Sequence, residues 1–210
     1  MAVNAQPQSR PDVVPYITAW SGEQRLTPAV IATARGIAYS DEVPHDRDAA
    51  GALWVRRALH PGRGRPRYSR VHPQRQRRAM ARLLCQICGS PADRDEYGVL
   101  WLLEDDRADW AGWPEGLVTV HPPVCLPCAP KAAGLCPHLR GTGAVAVRVR
   151  DSVLDGVHGQ TYRLHNGRLV PDRQTVVFYE QPEVRWTPAA QAARTLNGCT
   201  PVDLHTGRPL

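Results

Sequence analysis

Two pairs of cysteines constrain this chain more than any other feature of it. Cys85 and Cys88 are separated by two residues and followed by Gly89, and Cys125 and Cys128 repeat the spacing. Two thiolates spaced this way converge on one ion when the chain turns tightly between them, and a glycine relieves the backbone at that turn. Four thiolates complete a tetrahedral Zn2+, the closed coordination of a structural site. A structural Zn2+ held by Cys85, Cys88, Cys125 and Cys128 is therefore expected, against the alternative of four buried or redox-active thiols. The first residues show no charged region followed by an apolar one, so no secretory signal is read and a cytoplasmic location is expected. In such a reducing compartment paired cysteines point to metal, not to disulfides. No apolar run reaches the ~18 residues of a membrane span, so no membrane partner is expected. Cys136 and His138 follow the second pair closely enough to replace one ligand, whereas Cys199 has no ligand-spaced partner.

Between the pairs, residues 97–103 and 116–121 read as two strands flanking an acidic loop that carries Trp110 and Trp113. These tryptophans are read as capping a small zinc core or, if exposed, as contacting a partner. The second cysteine pair then opens a short helix. A knuckle, a hairpin and a helix bearing the second pair make a treble-clef-like module. The stretches Leu84 to Gly89, Glu115 to Val120 and Val124 to Ala129 resemble the zinc scaffold of HNH endonucleases, over residues 73–138. An arginine-rich helix before the first pair fits that layout. In the family a histidine at the end of the first hairpin strand activates water beside a metal-binding residue. Here that strand ends in Glu104, Asp105 and Asp106, and Ala129 follows the second pair where the family often has histidine. The resemblance thus implies the scaffold and not the nuclease. A divergent nuclease would have to use Asp105, Asp106 and His121 with Mg2+ or Mn2+; a solvated loop and a strand-end histidine are the plainer reading. A zinc deaminase is excluded, because no His-x-Glu accompanies the Pro-Cys-x-x-Cys-like stretch.

Charge is unevenly placed. Lys131 is the one lysine among 26 cationic residues, a bias that a GC-rich genome produces by itself. Position is more informative than number: ten arginines and no acid lie between Ala49 and Ala92, and eight acids against two arginines lie from Asp93 to Glu115. Either a nucleic-acid surface sits beside a repelling rim, or the two segments neutralise each other. Residues 60–67 read as an exposed basic loop broken by Pro and Gly, and 73–84 as a helix opened by proline. On that helix Met80, Leu83 and Leu84 form the apolar stripe, with Arg75, Arg78 and Arg82 on another face. The candidate phosphate contacts are Arg63, Arg65, Arg67, Arg70, Arg75, Arg78 and Arg82, with a solvated surface as the alternative.

The fold class expected is α+β, mostly antiparallel strands with short helices and the treble-clef-like module, since no βαβ alternation occurs. Four segments are read: a flexible tail at 1–14, an N-terminal α+β segment at 15–72, the zinc module at 73–140, and a C-terminal β-rich segment at 141–210. Strands are expected at 16–20, 36–39, 52–56, 144–150, 161–165 and 175–179, with an Asn-Gly turn at Asn166 and Gly167. Helices are expected at 27–35 and 187–196, each with a Thr cap and Pro at its first position. His45, Asp46 and Asp48 read as a polar turn, or else as an acid–base cluster. Serine-nucleophile, phosphate-loop and dinucleotide fingerprints are absent. The function expected is a non-enzymatic zinc-stabilised protein that contacts nucleic acid through its arginines. A protein–protein adaptor and a divergent metal-dependent nuclease are the alternatives, with oligomeric state left open.

Overall fold

The computed structural model describes residues 13–210, so the expected tail lies outside the described residues except for Val13 and Val14. The architecture is α+β, with mostly antiparallel strands and few short helices. Strand β1 is Thr18–Trp20; β2 (Val30–Thr33) and β3 (Gly36–Tyr39) form a hairpin; β4 (Pro66–Val71) returns to pair antiparallel with β1. Helix α1 (Pro73–Arg82) follows, then β5 (Arg94–Asp95), β6 (Gly98–Glu104) and β7 (Val118–Thr119). Short helices α2 (Ala129–Leu135) and α3 (Pro137–Thr142) lead into three long strands, β8 (Ala144–His165), β9 (Arg168–Phe178) and β10 (Ala189–Val202). One six-stranded sheet runs in the order β5-β6-β8-β10-β7, with β9 on the distal half of β8.

Five expectations are corrected. Residues 27–35 are not a helix but the β2–β3 hairpin: Val30, Ile31 and Thr33 are β-branched, and Thr33 Oγ1 accepts from the Arg35 amide and donates to the Gly36 carbonyl across the turn. Residues 187–196 are not a helix either. Their alanines favour one, but β10 fills the place between β8 and β7, where Ala189, Ala192 and Ala193 are buried. The expected strands at 144–150 and 161–165 are one continuous strand, β8, closed by a turn with Asn166 and Gly167 both at positive φ, as the Asn-Gly signal predicts. Finally, β6 and the strand at 116–121 are not partners. A six-residue ladder from Val99↔Val149 to Glu104↔Ala144 joins β6 to β8, while β7 spans two residues on the far side of β10. The expected basic loop at 60–67 also ends early, because β4 begins at Pro66.

Strand β6 explains why its sequence does not alternate. Val99, Trp101 and Leu103 enter one apolar cluster with Val145, Val147 and Leu196, whereas Leu100 and Leu102 enter another with Cys85, Val124 and Ala129. It is buried on both faces, and such strands read as continuous apolar runs. The second cluster is the floor of the cysteine lobe, so the main sheet itself supports that lobe. Helix α1 is fastened to the sheet by Gln76, fully buried, which donates to the Val120 and Ala192 carbonyls at 2.7 and 2.9 Å and accepts from the Ala192 amide at 2.8 Å. Arg194 donates to the Met80 carbonyl at 3.0 Å, satisfying one of the orphan acceptors at the end of α1. Among the described residues no helix is long and apolar enough to cross a membrane.

Candidate metal centre

The lobe is built directly from the end of α1. Leu83 caps the helix in the left-handed region (φ 51°), and the chain then folds back so that the Cys85 amide donates to the Ser90 carbonyl at 2.7 Å and the Gly89 amide to the Cys85 carbonyl at 2.9 Å. Gly89 has φ +76°, and a Cβ there would lie 2.9 Å from the Tyr16 ring, so glycine is required on both counts. The second pair lies on a single 3-10 turn, Leu126–Cys128, that runs into α2; the amides of Cys128 and Ala129 both donate to the Cys125 carbonyl. Two cross-links hold the pairs in register: the Gln86 amide donates to the Pro123 carbonyl at 2.9 Å, and the Asp93 amide to the Val124 carbonyl at 3.1 Å.

This places the sulfurs of Cys85, Cys88, Cys125 and Cys128 within 4.8 Å of one another, with Cys88 and Cys125 Sγ 3.7 Å apart and no disulfide between them. Four sulfurs at the ~2.3 Å bond length of zinc stand about 3.8 Å apart in a tetrahedron. The four residues therefore form a cluster that suits one metal ion. Burial pushes the Cys85 thiol up to about 11. Burial also raises Cys88, but hydrogen bonds involving Ser90 and the adjacent thiols outweigh it and bring that group to about 7. Burial and the neighbouring sulfurs together raise Cys128. Thiols crowded in this way resist joint ionisation, and a central divalent cation removes the resistance. Cys136 and His138 lie outside the cluster. Cys199 is elsewhere, its Sγ 3.7 Å from the Pro114 carbonyl, with burial and then Glu115 pushing it up to about 12.

The arginines of the 49–92 segment divide into two groups. Arg75, expected among the phosphate contacts, is instead 5% exposed; its guanidinium grips Glu23 through Nη1 (2.5 Å) and Nη2 (2.8 Å) and donates to the Tyr16 and Thr18 carbonyls. Arg56 is held by Asp46 and Asp41, and Arg77 lies over the Trp54 ring at 4.6 Å. Arg63, Arg65, Arg67, Arg70, Arg78 and Arg82 are exposed, and among the described residues none of them has an acidic partner within ion-pair distance. Part of the acidic segment is paired elsewhere: buried Arg148 takes Asp93 (2.5 Å) and Asp95 (3.1 Å), and Arg107 takes Asp105. Among the described residues the basic and acidic segments share no ion pair. Asp46 and Asp48 prove structural; Asp48 accepts from Trp54 Nε1 and the Tyr179 hydroxyl. Trp113 is buried with the β6 cluster, and Trp110 is 40% exposed.

A groove of ≈1290 Å³ opens between β4, the end of β6, β7 and the helices α2 and α3. Asp106 and His121, separate candidates in the sequence, both line it, together with Glu104, Lys131 and His138. No local signal in the sequence marks this grouping, since Glu104 reads only as part of an acidic loop. His138 Nε2 lies 2.7 Å from Glu104 Oε1. His121 is fixed through its backbone, the carbonyl accepting from buried Trp101 Nε1 (3.0 Å) and the amide donating to Thr119 Oγ1 (3.1 Å). Desolvation, then the charge of His138 against that of Glu104, holds its imidazole below the ordinary histidine value.

Compared with protein-family models, with curated proteins and with solved structures, the chain matches none.

Proposed function

We propose that the chain is a zinc-stabilised nucleic-acid-binding protein, contacting phosphates through the exposed arginines of the 63–82 segment. The observation that carries this reading is the set Arg63, Arg65, Arg67, Arg70, Arg78 and Arg82, exposed and without acidic partners among the described residues, on a segment that runs straight into the first cysteine pair. Uncompensated arginines recruit phosphate through charge-assisted, often bidentate hydrogen bonds. A soft, four-thiolate donor set favours Zn2+ among the abundant divalent ions, and its role is to cross-link two chain segments far apart in sequence. The order of a knuckle, the β5–β6 hairpin and then a second pair at the mouth of α2 supports a treble-clef-like module. Arg75, buried against Glu23, does not belong to the binding set.

The test is a salt titration of binding to labelled duplex and single-stranded oligonucleotides by fluorescence anisotropy. Affinity should fall linearly on log–log axes, with a slope of about −0.9 per phosphate neutralised on duplex and about −0.7 on single strands. No retention at low salt ends this reading. The adaptor reading draws on a different observation, the exposed ring of Trp110 together with the internal use of Arg56 and Arg75. One stoichiometric protein partner, absent with Trp110→Ala and recovered without nucleic acid, would select it.

A further inference from the structure

The groove beside the cysteine lobe brings together two exposed imidazoles, an ammonium and a carboxylate from four separate places in the chain, with the half-buried His158 of β8 as a third imidazole on its wall. His121 comes from the segment after β7, Lys131 from α2, His138 from α3 and Glu104 from the end of β6. Neither imidazole is absorbed by the metal cluster, and no structural hydrogen bond consumes the His121 ring among the described residues. The His138 ring is held on one side by Glu104 at 2.7 Å, which leaves Nδ1 as the nitrogen able to face a ligand. Arg70, Lys131 and Arg140 outnumber the carboxylates Glu104 and Asp106 along the same groove, so its balance favours an anionic occupant. Its size exceeds the ~300–1,000 Å³ of a small-molecule pocket and suits an extended chain.

We propose that this groove cleaves single-stranded RNA by metal-independent transphosphorylation, with His121 and His138 as the acid–base pair and Lys131 as the cation facing the phosphate. The proposal rests on the nucleic-acid reading above and assigns its substrate class. His121, exposed on the groove wall with its ring free of structural hydrogen bonds among the described residues, takes the proton of a ribose 2′-hydroxyl. The 2′ oxygen forms a bond to phosphorus, and the bond from phosphorus to the 5′ oxygen breaks with its electron pair on that oxygen. His138 supplies the proton the leaving oxygen needs, and Lys131 faces the charge that builds on the non-bridging oxygens. The products are a 2′,3′-cyclic phosphate and a 5′-hydroxyl, so atoms and electrons balance without any co-reactant. Glu104 is a positioning residue that orients the His138 ring. DNA lacks the attacking hydroxyl and must survive.

The experiment incubates the full chain, in its metal-bound form and in magnesium-free buffer, with a labelled RNA oligonucleotide and the DNA of the same sequence. RNA cleavage ending in cyclic phosphate, identified by mass spectrometry, is expected, with DNA intact. His121→Ala and His138→Ala should each reduce the rate by about 100-fold or more while retaining RNA binding and thermal stability. Glu104→Gln should reduce it less and displace the pH profile, which removal of a merely structural carboxylate would not do. RNA bound but not cut overturns this proposal and leaves the binding reading intact. Cleavage unchanged in both histidine variants also overturns it, by assigning the activity to another source. Failure to bind any nucleic acid ends both.

Discussion

Arg75 and Arg78 lie one turn apart on α1 and have opposite fates. Arg75 is buried, with Glu23 accepting both of its terminal nitrogens and two backbone carbonyls taking further donors. Glu23 is itself 1% exposed and accepts from the amides of Trp20 and His60 as well, so its carboxylate is fully engaged. Arg78 faces water with no acidic partner among the described residues. A buried ion pair is tolerable only with this degree of hydrogen-bond completion, whereas an exposed arginine can be held in reserve for a ligand. A run of arginines in a sequence therefore carries two populations, one that holds the fold and one that the fold presents. The position of each is set by acids far off in the chain, as Glu23 lies 52 residues from Arg75.

The largest effect should come from the structure that supports both populations. Helix α1 ends just before Cys85, so an ion held by the four cysteines would anchor the end of the helix, and its loss would remove that anchor. Structural zinc contributes about 10–16 kcal/mol of apparent folding free energy in small finger peptides. If even a third of that operates here, Cys85→Ser or Cys125→Ser should lower the melting temperature by roughly 10–20 °C. Mass spectrometry should find about one zinc per wild-type chain and none in either variant; a metal-free wild type with an unchanged melt breaks the lobe's role outright. Next in size is Arg75→Ala, which strands the Glu23 carboxylate in the interior and should destabilise by about 3–5 kcal/mol. Arg78→Ala should fall within about 0.5 kcal/mol of wild type in the same urea titration. Equal losses from the two would erase the distinction between them.

Acid titration probes the same pair from the carboxylate side. Burial alone would raise the Glu23 pKa, but the Arg75 guanidinium and the Trp20 amide outweigh it and lower the group from 4.5 to about 2. A depressed folded-state pKa means stability that is fully present above about 4.5 and disappears as pH falls towards 2. The amount is about 3 kcal/mol, at about 1.36 kcal/mol per unit. Urea midpoints measured from pH 5 down to pH 2 should show that decline in wild type and little of it in a Glu23→Gln, Arg75→Met double variant. An identical acid profile in the double variant would place the acid sensitivity elsewhere.

Legibility follows the range of the interactions involved. The Cys-x2-Cys pairs and the Asn166–Gly167 turn are readable from sequence because their chemistry is local: a knuckle or a two-residue turn is specified by the residues that make it. The start of α1 at Pro73 is visible for the same reason. The alanine-rich stretch that becomes β10 misleads because its conformation is decided by β8 on one side and by Gln76 of α1 below it. Residues 27–35 mislead differently: the Thr-Pro opening imitates a helix start, while Val30, Ile31 and Thr33 carry a strand preference that outweighs it. The four sulfurs are thus legible as a set, whereas the strand partner of β6 is not, because the ladder to β8 is set by residues 40 to 50 positions further along. The groove is not foreseeable at all, because Glu104, His121, Lys131 and His138 meet only once the sheet and the lobe are assembled.

The smallest energetic effect is the most direct test of what the exposed population is for. Arg63 and Arg65 occupy the turn before β4, and Arg67 lies on β4 opposite Ala19 of β1. None of the three has an acidic partner among the described residues, so a triple Arg→Ala variant removes no ion pair from the folded state. Its stability should match wild type within about 0.5 kcal/mol per site. Its affinity for nucleic acid should nonetheless drop, and the log–log salt slope on duplex should become shallower by about 0.9 for each phosphate no longer neutralised. Stability and binding then separate in opposite directions from Arg75→Ala, which destabilises the fold without altering the slope of whatever folded protein remains. A triple variant that melts early would move these residues into the structural population. One that melts normally and binds with an unchanged salt slope would leave the segment a solvated surface and remove the phosphate reading from it.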